Sequence, residues 1–245
     1  MEVDLTQIPA LTELRRHGSR LAFQIYFREV WRDVEWRLQF LTRNFVRLVD
    51  LAIDEYENGR INVGDYWEDD SRFFPVGPAI RASGHFETCI TAAHRAVLHL
   101  GAARDYRGTL PPGLRPLLPA RAEVLSGGGD DDLRLMRQAI QHAEDRLLGA
   151  SIPPFQAEEA AILNVTGVER QRAGTEVMMI DRLELGGHRI LLADLAAWLR
   201  ELHGYAQAVA EYDGKAPPAL PSPEKAEPRG SAGPVAPSYP DTSGG

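Results

Sequence analysis

An arginine and a histidine near the middle of the chain have side chains suited to acid–base chemistry on a charged substrate. They are Arg137 and His142, in the run Arg-Gln-Ala-Ile-Gln-His. An arginine keeps its charge at any working pH, whereas a histidine gains or loses a proton near neutrality. Phosphodiester cleavage needs both properties, because negative charge develops while a proton is moved. This pair is therefore the strongest candidate for a catalytic site.

The residues around this pair have the spacing of an amphipathic helix. Apolar side chains recur every three or four residues and define a packed stripe: Leu133, Met136, Ile140, Ala143 and Leu147. This spacing predicts a helix from 130–132 to about Leu148, with Gly149 at its end. The three aspartates at 130–132 are expected to cap the helix and to compensate its dipole. The preceding segment, 126–129, is glycine-rich and is expected to be a flexible break.

The positions of the two candidate residues on this helix predict how they must work. At about 100° per residue, Arg137 lies roughly 90° to one side of the apolar stripe and His142 about 130° to the other. Both side chains are therefore expected to face away from the core. Three polar residues fill the arc between them: Gln138, Gln141 and Asp145. Because this arc is wide, the pattern predicts a homodimer in which a second copy covers the helix at 131–148.

The run 136–147, Met-Arg-Gln-Ala-Ile-Gln-His-Ala-Glu-Asp-Arg-Leu, resembles the signature helix of the HEPN superfamily. That signature is an arginine, usually followed by a polar residue, with four to six residues between the arginine and a histidine; here four residues separate them. Gln138 occupies the polar position, where the family more often has Asn, Asp or His. The resemblance implies a helical bundle, and the active members are metal-independent ribonucleases of toxin–antitoxin, abortive-infection and CRISPR systems.

The same resemblance implies roles for individual residues. Arg137 would hold the scissile phosphate and stabilise its transition-state charge, and His142 would transfer the proton during attack by the ribose 2′-hydroxyl, leaving a cyclic phosphate. Gln138, Gln141 and Asp145 would support them. The resemblance further implies an RNA substrate, an antitoxin or regulatory protein as partner, and no metal or other cofactor. Some members of the family have lost catalysis and serve as scaffolds, so a non-catalytic interaction protein that uses the same dimer interface is the alternative.

Other groups with chemical potential are expected to be structural. His94, Arg95 and His99 form a second basic group, but three residues separate Arg95 from His99, one too few for the signature. A structural or surface role is favoured for this group, with a supporting role in an RNA groove as the alternative. Cys89 stands at helical spacing among apolar residues, which indicates a packed core thiol. His188 and His203 are expected in a turn and on a helix surface.

The tryptophans provide a test of whether the protein has a base-stacking platform. Trp31, Trp36 and Trp198 match packed helix faces, and we expect them to be buried. Trp67 stands in an expected loop, and an exposed role remains open for it.

Composition limits the classes of function. The net charge is −8 and belongs to the part that folds, which argues against a broad nucleic-acid footprint but not against a small basic cleft. A single cysteine excludes an intrachain disulfide. Glu2 and Asp4 stand where a signal peptide would need positive charge, and no apolar run reaches the length of a membrane span. The sequence therefore predicts a cytoplasmic protein with no membrane contact.

The first half of the chain is expected to contain two long helices. Apolar residues recur at helical spacing over 19–56, which predicts one amphipathic helix that ends at the Asn-Gly pair 58–59. The segment 59–77 is expected to be an irregular, solvated connection, since its acidic residues lack the spacing of a calcium loop. A second helix is expected from near Pro78 to about Arg104. Its expected buried face is Ile80, Phe86, Cys89, Ile90, Ala93, Val97 and Leu100.

In the second half of the chain, the spacing of the apolar residues changes from that of a helix to that of a strand and back. A proline-rich segment at 110–119 precedes the arginine–histidine helix, and 176–192 contains two alternating segments joined by a glycine pair, typical of a β-hairpin. Residues 160–169 add either a third strand or an irregular segment. Asp194 is expected to cap a last helix. The prediction is a mostly α protein: a four-helix up-and-down bundle over 1–213 with a small β-hairpin, and a disordered tail at 214–245 that is poor in large apolar residues.

Overall fold

The computed structural model of the protein describes residues 2–32, 34–68, 76–111, 113–143, 162–172 and 175–214. This part of the chain is mostly helical and contains a small four-stranded sheet, so the predicted mostly α class with a β-hairpin is confirmed. The helices are α1 (Gly18–Phe27), α2 (Glu29–Arg32), α3 (Trp36–Glu68), α4 (Val76–Arg104), α5 (Gly129–Gln141) and α6 (Leu192–Glu211). The strands are β1 (Glu2–Asp4), β2 (Asn164–Arg172), β3 (Thr175–Leu185) and β4 (His188–Leu191). The predicted tail beyond Gly214 lies outside the described residues.

The two long helices α3 and α4 form an antiparallel pair, and α1, α5 and α6 pack on it. Near their middle, the rings of Tyr56 and Phe86 meet edge to face with centroids 5.8 Å apart. One turn further along α3, a Cβ atom on Gly59 would lie 3.0 Å from the ring of Phe86. The glycine thus permits the close approach of the two helices instead of ending the first one. The predicted stop at 58–59 is therefore wrong, and the predicted irregular segment 59–77 is helical over its first ten residues.

The predicted helix over 19–56 is broken into α1, α2 and the first part of α3. Arg28 adopts an extended conformation between α1 and α2, with φ −102° and ψ 134°. The side-chain amide of Gln39 donates to the carbonyls of Trp31 and Val34, at 2.8 and 2.9 Å, and satisfies backbone acceptors at the end of α2. Apolar residues on both sides of each break pack into the same core, so the helical spacing continues across the breaks. For this reason the spacing alone did not indicate where the helix is interrupted.

Two side chains from other helices hold the start of α1. The carboxylate of Asp50 accepts the backbone N–H groups of His17 and Gly18, at 3.0 and 2.7 Å, and thereby caps α1 from α3. The buried His17 also meets α6, where its Nε2 lies 3.1 Å from Nε2 of His203, which in turn lies 3.0 Å from the carbonyl of Arg15. His203 lies on the half-exposed side of the last helix, as expected, and also takes part in an interhelical contact.

Strand β3 is the centre of the sheet. β2 pairs antiparallel along one edge of β3, while β1 pairs parallel and β4 antiparallel with successive parts of the other edge. Gly186 and Gly187, with φ of +55° and +84°, form the two-residue turn between β3 and β4. The predicted hairpin is thus confirmed, and the segment predicted as either a strand or irregular contributes β2. The short β1 adds a fourth strand that the sequence pattern did not indicate.

The predicted buried face of α4 is confirmed with one exception. Leu195, Leu199 and Leu202 of α6 are fully buried, as is Cys89 of α4, where burial raises the pKa of the thiol far above its usual range. Cys89 is therefore a packed core thiol, as expected. Ile80, predicted in the core, is 63% exposed and lines an open groove with Val63 and Trp67 of α3 and Val165 of β2. Within the described chain, none of the helices is long and apolar enough to cross a membrane.

The close approach at Gly59 predicts a matched pair of substitutions on α3. Gly59→Leu forces a side chain into the ring of Phe86 and should lower the free energy of unfolding by about 1–3 kcal/mol. Gly64→Leu is the control, because no atom lies within 4 Å of a Cβ at this position of the same helix. Leucine favours helix over glycine, so this variant should be unchanged or more stable by up to about 0.8 kcal/mol. Equal unfolding free energies in urea for the two variants would contradict the packing argument.

The contact between His17 and His203 predicts a stability that depends on pH. Burial, and then the positive charge of His203, lower the pKa of His17. Because the unfolded chain then binds protons more readily than the folded chain, stability should fall as the pH drops below about 6.5. The melting temperature should decrease between about pH 7.5 and pH 5.5, and the decrease should be smaller in His17→Gln. An unchanged slope in His17→Gln would argue against this role.

Candidate active site on α5

Three glycines determine where α5 begins. Gly127 and Gly128 have φ of +66° and +81°, which favours glycine over other residues. A Cβ on Gly129 would lie 2.7 Å from the indole of Trp198, so only glycine permits α5 to start against α6 at this distance. The indole Nε1 of Trp198 donates to the carbonyl of Ser126 at 3.1 Å. The segment 126–129 is therefore fixed by contacts with α6, in contrast to the flexible break that we predicted.

Asp130, in the first turn of α5, stabilises the segment that precedes the helix. The carboxylate of Asp130 accepts the backbone N–H groups of Val124 and Leu125, at 2.8 and 2.7 Å. The N-cap residue is Gly128, and no side chain caps the helix. The expected capping by the aspartates at 130–132 is therefore wrong, although all three lie in the first turn, where their charge still complements the helix dipole.

The packed stripe of α5 agrees with the sequence pattern within the described residues. Leu133, Met136 and Ala143 are buried, and Ile140 is half-buried. Ala139, which we did not include, is also buried. The helix ends at Gln141, short of the predicted end at about Leu148, and residues 144–150 lie outside the described part. The stripe fixes the rotation of α5 and hence the directions of the candidate residues.

His142 occupies the C-terminal end of α5 and not its interior. It is the C-cap residue, with φ −100° and ψ 10°, and its backbone N–H donates to the carbonyl of Gln138 at 3.0 Å. Its side chain is exposed, as are those of Gln138 and Gln141. This part of the predicted outward arc is confirmed, while Asp145 lies outside the described residues. The imidazole of His142 is therefore accessible to a substrate in the surrounding solution.

Arg137 lies between the exposed arc and the neighbouring helix. The residue is half-buried, and its Nε is buried without a hydrogen-bond acceptor among the described residues. We expected this side chain to face away from the core, and that expectation is wrong for the Nε end. A residue roughly 90° from the packed stripe stands at the edge of a helix interface. Because α5 packs on α4, the second helix closes over this edge.

His94 of α4 lies close enough to Arg137 for the guanidinium charge to act on its imidazole. Its side chain is 6% exposed, and its Nδ1 has no hydrogen-bond partner among the described residues. Burial, followed by the positive charges of Arg137 and Arg134, lowers the pKa of His94. The imidazole is consequently neutral near pH 7 and does not repel the guanidinium. The charge of Arg137 thus acts on the buried imidazole of His94, whereas His142 lies at the exposed end of the helix.

The sequence named His94 but did not connect it with Arg137. The available signal was its position on α4, since Ile90, His94 and Val97 follow one another at the spacing of a buried helix face. A polar side chain that is buried on such a face costs free energy unless a polar group lies beside it, so its presence indicates a polar neighbour. The neighbour could not be identified from sequence, because the rotation of α5 against α4 depends on the packed stripes of both helices.

Two further sequence expectations concern metal ions and Trp67. Within the described ranges, no group of three or more His, Cys, Asp and Glu side chains could hold a metal ion, and metal-independent chemistry stays a prediction. Trp67 lies at the end of α3 and not in a loop, where it is half-buried with its ring 4.8 Å from the ring of Tyr66. It is therefore not a freely exposed stacking platform.

Comparison with known protein families, curated proteins and solved structures gives no match to this chain.

The proximity of Arg137 and His94 predicts a measurable coupling. Arg137→Gln removes a positive charge beside His94, so the pKa of His94 should rise towards the ordinary value for histidine. NMR titration of the histidine resonances measures this change. Arg170→Gln, on the exposed face of β2, is the matched control and should leave the titration of His94 unchanged. The same His94 titration in wild type and Arg137→Gln would show that the two side chains are not coupled.

Proposed function

We propose that the protein is a metal-independent endoribonuclease of the HEPN type that acts as a homodimer in bacterial defence or as a toxin. The observation that carries this proposal is the position of Arg137 and His142 on α5, with the imidazole exposed at the end of the helix. The similarity to the HEPN signature rests on the run 136–147. The chemistry of the two side chains matches the two needs of phosphodiester cleavage, charge stabilisation and proton transfer.

The proposal includes a four-helix arrangement of α3, α4, α5 and α6. Support for it comes from the packing of α3 on α4 and α6, and of α5 on α4 and α6. In this arrangement α5 turns one side to the other helices and its polar arc to solvent. A second copy that packs on the arc would bring two sets of Arg137 and His142 together about a twofold axis.

The proposed reaction begins with a phosphate bound by Arg137. Its Nε is buried, so the terminal nitrogens of the guanidinium are the donors that remain for a phosphate oxygen. Their positive charge stabilises the additional negative charge of the pentavalent transition state. The neutral His94 beside Arg137 adds no competing positive charge that would expel the guanidinium from its position. His94 is a positioning residue in this account, since it is buried.

His142 performs the proton transfers in the proposed reaction. As a base it takes the proton of the ribose 2′-hydroxyl while that oxygen forms a bond to phosphorus. The bond from phosphorus to the 5′-oxygen breaks, and a proton passes to this leaving oxygen. The products are a 2′,3′-cyclic phosphate and a 5′-hydroxyl. Base and acid need imidazoles in opposite protonation states, and a twofold dimer supplies two copies of His142.

A non-catalytic interaction protein is the second candidate, and one observation favours it. Because Nε of Arg137 is buried against the body of the protein, a phosphate cannot bind side-on to Nε and one terminal nitrogen, which favours a structural role for this arginine. In this alternative, the polar arc of α5 serves assembly with a second copy, and Arg137 is a structural residue at the edge of the α4–α5 interface.

Cleavage assays on two variants separate these candidates. Arg137→Ala and His142→Ala should each lower RNA cleavage in EDTA by about a hundredfold or more, because each removes one of the two required groups. Their circular dichroism spectra and their oligomeric state should be those of the wild type. Arg134→Ala is the matched control, because it removes an exposed arginine one turn earlier on α5 that pairs with Asp131.

The outcomes differ between the two candidates. Full activity in Arg137→Ala or His142→Ala would remove that residue from the proposed site. A wild-type dimer that cleaves none of a varied set of RNAs in EDTA would favour the non-catalytic interaction protein. A product with a 2′,3′-cyclic phosphate end would support attack by the 2′-hydroxyl.

A further inference from the structure

Basic and acidic residues are unevenly distributed along the α3–α4 pair. The first part of α3, 36–49, and the second part of α4, 88–104, together contain five arginines and no aspartate or glutamate. The remainder of α3, 50–68, contains six acidic residues and one arginine. Because the helices are antiparallel, with Phe40 against His99, both basic segments lie at the same end of the pair. Two of the five arginines pair with carboxylates just outside these segments, Arg104 with Asp105 and Arg37 with Glu35. The positive charge at this end of a chain with a net charge of −8 therefore comes from Arg43, Arg47 and Arg95.

Aromatic and basic residues share one exposed face of α3 at this end. Trp36, Phe40, Arg43 and Arg47 follow one another at intervals of four, three and four residues, and all four are exposed. This stripe extends over about 16 Å of helix. Trp36, which we expected to be packed, is 68% exposed because α3 begins there and the first buried position of this helix is Leu38.

Side chains of α1 and α4 flank the stripe. On one side, Tyr26 of α1 is 68% exposed and its hydroxyl accepts a hydrogen bond of 3.1 Å from Arg43. On the other side, the ring of His99 meets that of Phe40 with centroids 6.3 Å apart. Burial, and then the charges of Arg95 and Arg47, lower the pKa of His99. Arginines from both helices are thus close to the same imidazole.

The charges of this face are not neutralised within the protein. Among the described residues, none forms an ion pair with Arg43, Arg47 or Arg95. The hydroxyl bonded to Arg43 is uncharged. Arg37 differs, because it lies 4.0 Å from Glu35, and we exclude it from the face for this reason. The guanidinium of Arg37 also lies over the ring of Trp36, 5.6 Å from its centroid, so part of that ring is already covered. The exposed remainder of Trp36, the ring of Phe40 and the three unpaired arginines are left for a ligand.

We infer that this face binds a single-stranded polynucleotide. The face, which we name the aromatic–arginine surface, comprises Tyr26, Trp36, Phe40, Arg43, Arg47, Arg95 and His99. Bases of a single strand stack on exposed rings, while arginines hold the phosphates between them. A duplex does not satisfy the rings, because its bases are already stacked. An acidic peptide would satisfy the arginines but offers no flat surface for the aromatic rings.

The aromatic–arginine surface deepens the proposed function, on which it rests only for the choice of RNA as the biological ligand. His94 and Arg95 are consecutive residues of α4, and the first lies near Arg137 while the second belongs to the surface. Because consecutive helical residues point about 100° apart, a strand that extends beyond Arg95 around α4 would reach α5, which packs on α4. Binding energy from nucleotides away from the scissile bond would then hold the strand in place at the proposed site.

Fluorescence anisotropy with a labelled oligodeoxynucleotide of about 12 nucleotides tests the surface directly. This DNA has no 2′-hydroxyl, so its binding is measured without cleavage by the proposed reaction. The double variant Arg47→Glu/Arg95→Glu should weaken binding by about tenfold or more at low salt. The matched control is Arg170→Glu/Arg189→Glu, which makes the same change of charge at exposed positions of the sheet. It should change the affinity by less than about threefold.

The aromatic part of the surface has an independent readout. Stacking of a base on Trp36 should quench its fluorescence when the oligonucleotide is added, and Trp36→Phe should lose this quenching while binding is retained. Phe40→Ala should weaken binding, since it removes a ring at the centre of the stripe. Ile61→Ala, an exposed apolar residue in the acidic part of α3, is its control and should bind as the wild type does.

Several outcomes would overturn the inference. These are equal losses in the two double arginine variants, tighter binding of a duplex than of a single strand, or a dimer formed through this face that binds neither DNA nor RNA. An RNA of the same sequence, measured with His142→Ala, supports the inference if it binds as tightly as DNA or more tightly. Binding without cleavage by the wild type would reject the proposed nuclease and keep the surface. Cleavage with unchanged binding in the surface variants would reject the surface and keep the nuclease.

Discussion

The close packing of α3 against α4 is the constraint on which the other features depend. Gly59 permits the approach, and the edge-to-face contact of Tyr56 with Phe86 fixes how the two helices face each other. This register sets Phe40 against His99 and thus collects the basic segments at one end of the pair. It also turns His94 towards α5, where Arg137 lies. A change in this register would alter the core, the charge distribution and the candidate site together.

Sequence patterns predicted those elements whose form depends on burial along a single helix or strand. The apolar spacing of α4, α5 and α6 corresponds to their buried faces, and the glycine pair at 186–187 joins two strands as expected. The breaks around α2 and the continuation of α3 past Gly59 could not be predicted in this way. They depend on a side-chain amide from Gln39 and on the ring of Phe86, which are brought into place only by the tertiary fold.

The same distinction holds at the candidate site. Residue type and spacing identified Arg137 and His142, and helical rotation predicted the exposure of His142. The burial of the guanidinium Nε and the proximity of His94 depend on a second helix, α4. A helical wheel of α5 alone cannot show either of them. Trp36 was misassigned because its spacing matches the buried face, although the helix begins at this residue and no earlier turn covers it. At a helix end, the spacing of apolar residues therefore no longer predicts which side chains are buried.

Photo-cross-linking tests most directly whether the basic end of the α3–α4 pair holds a strand next to α5. A single-stranded RNA with thiouridine at varied positions would be irradiated with the full-length His142→Ala variant, and the cross-linked peptides identified by mass spectrometry. Cross-links are expected within 36–47 and 95–99, and with some thiouridine positions within 134–141 of α5. Cross-links confined to the acidic part of α3, 50–68, or to the sheet at 164–191 would contradict this placement of the strand.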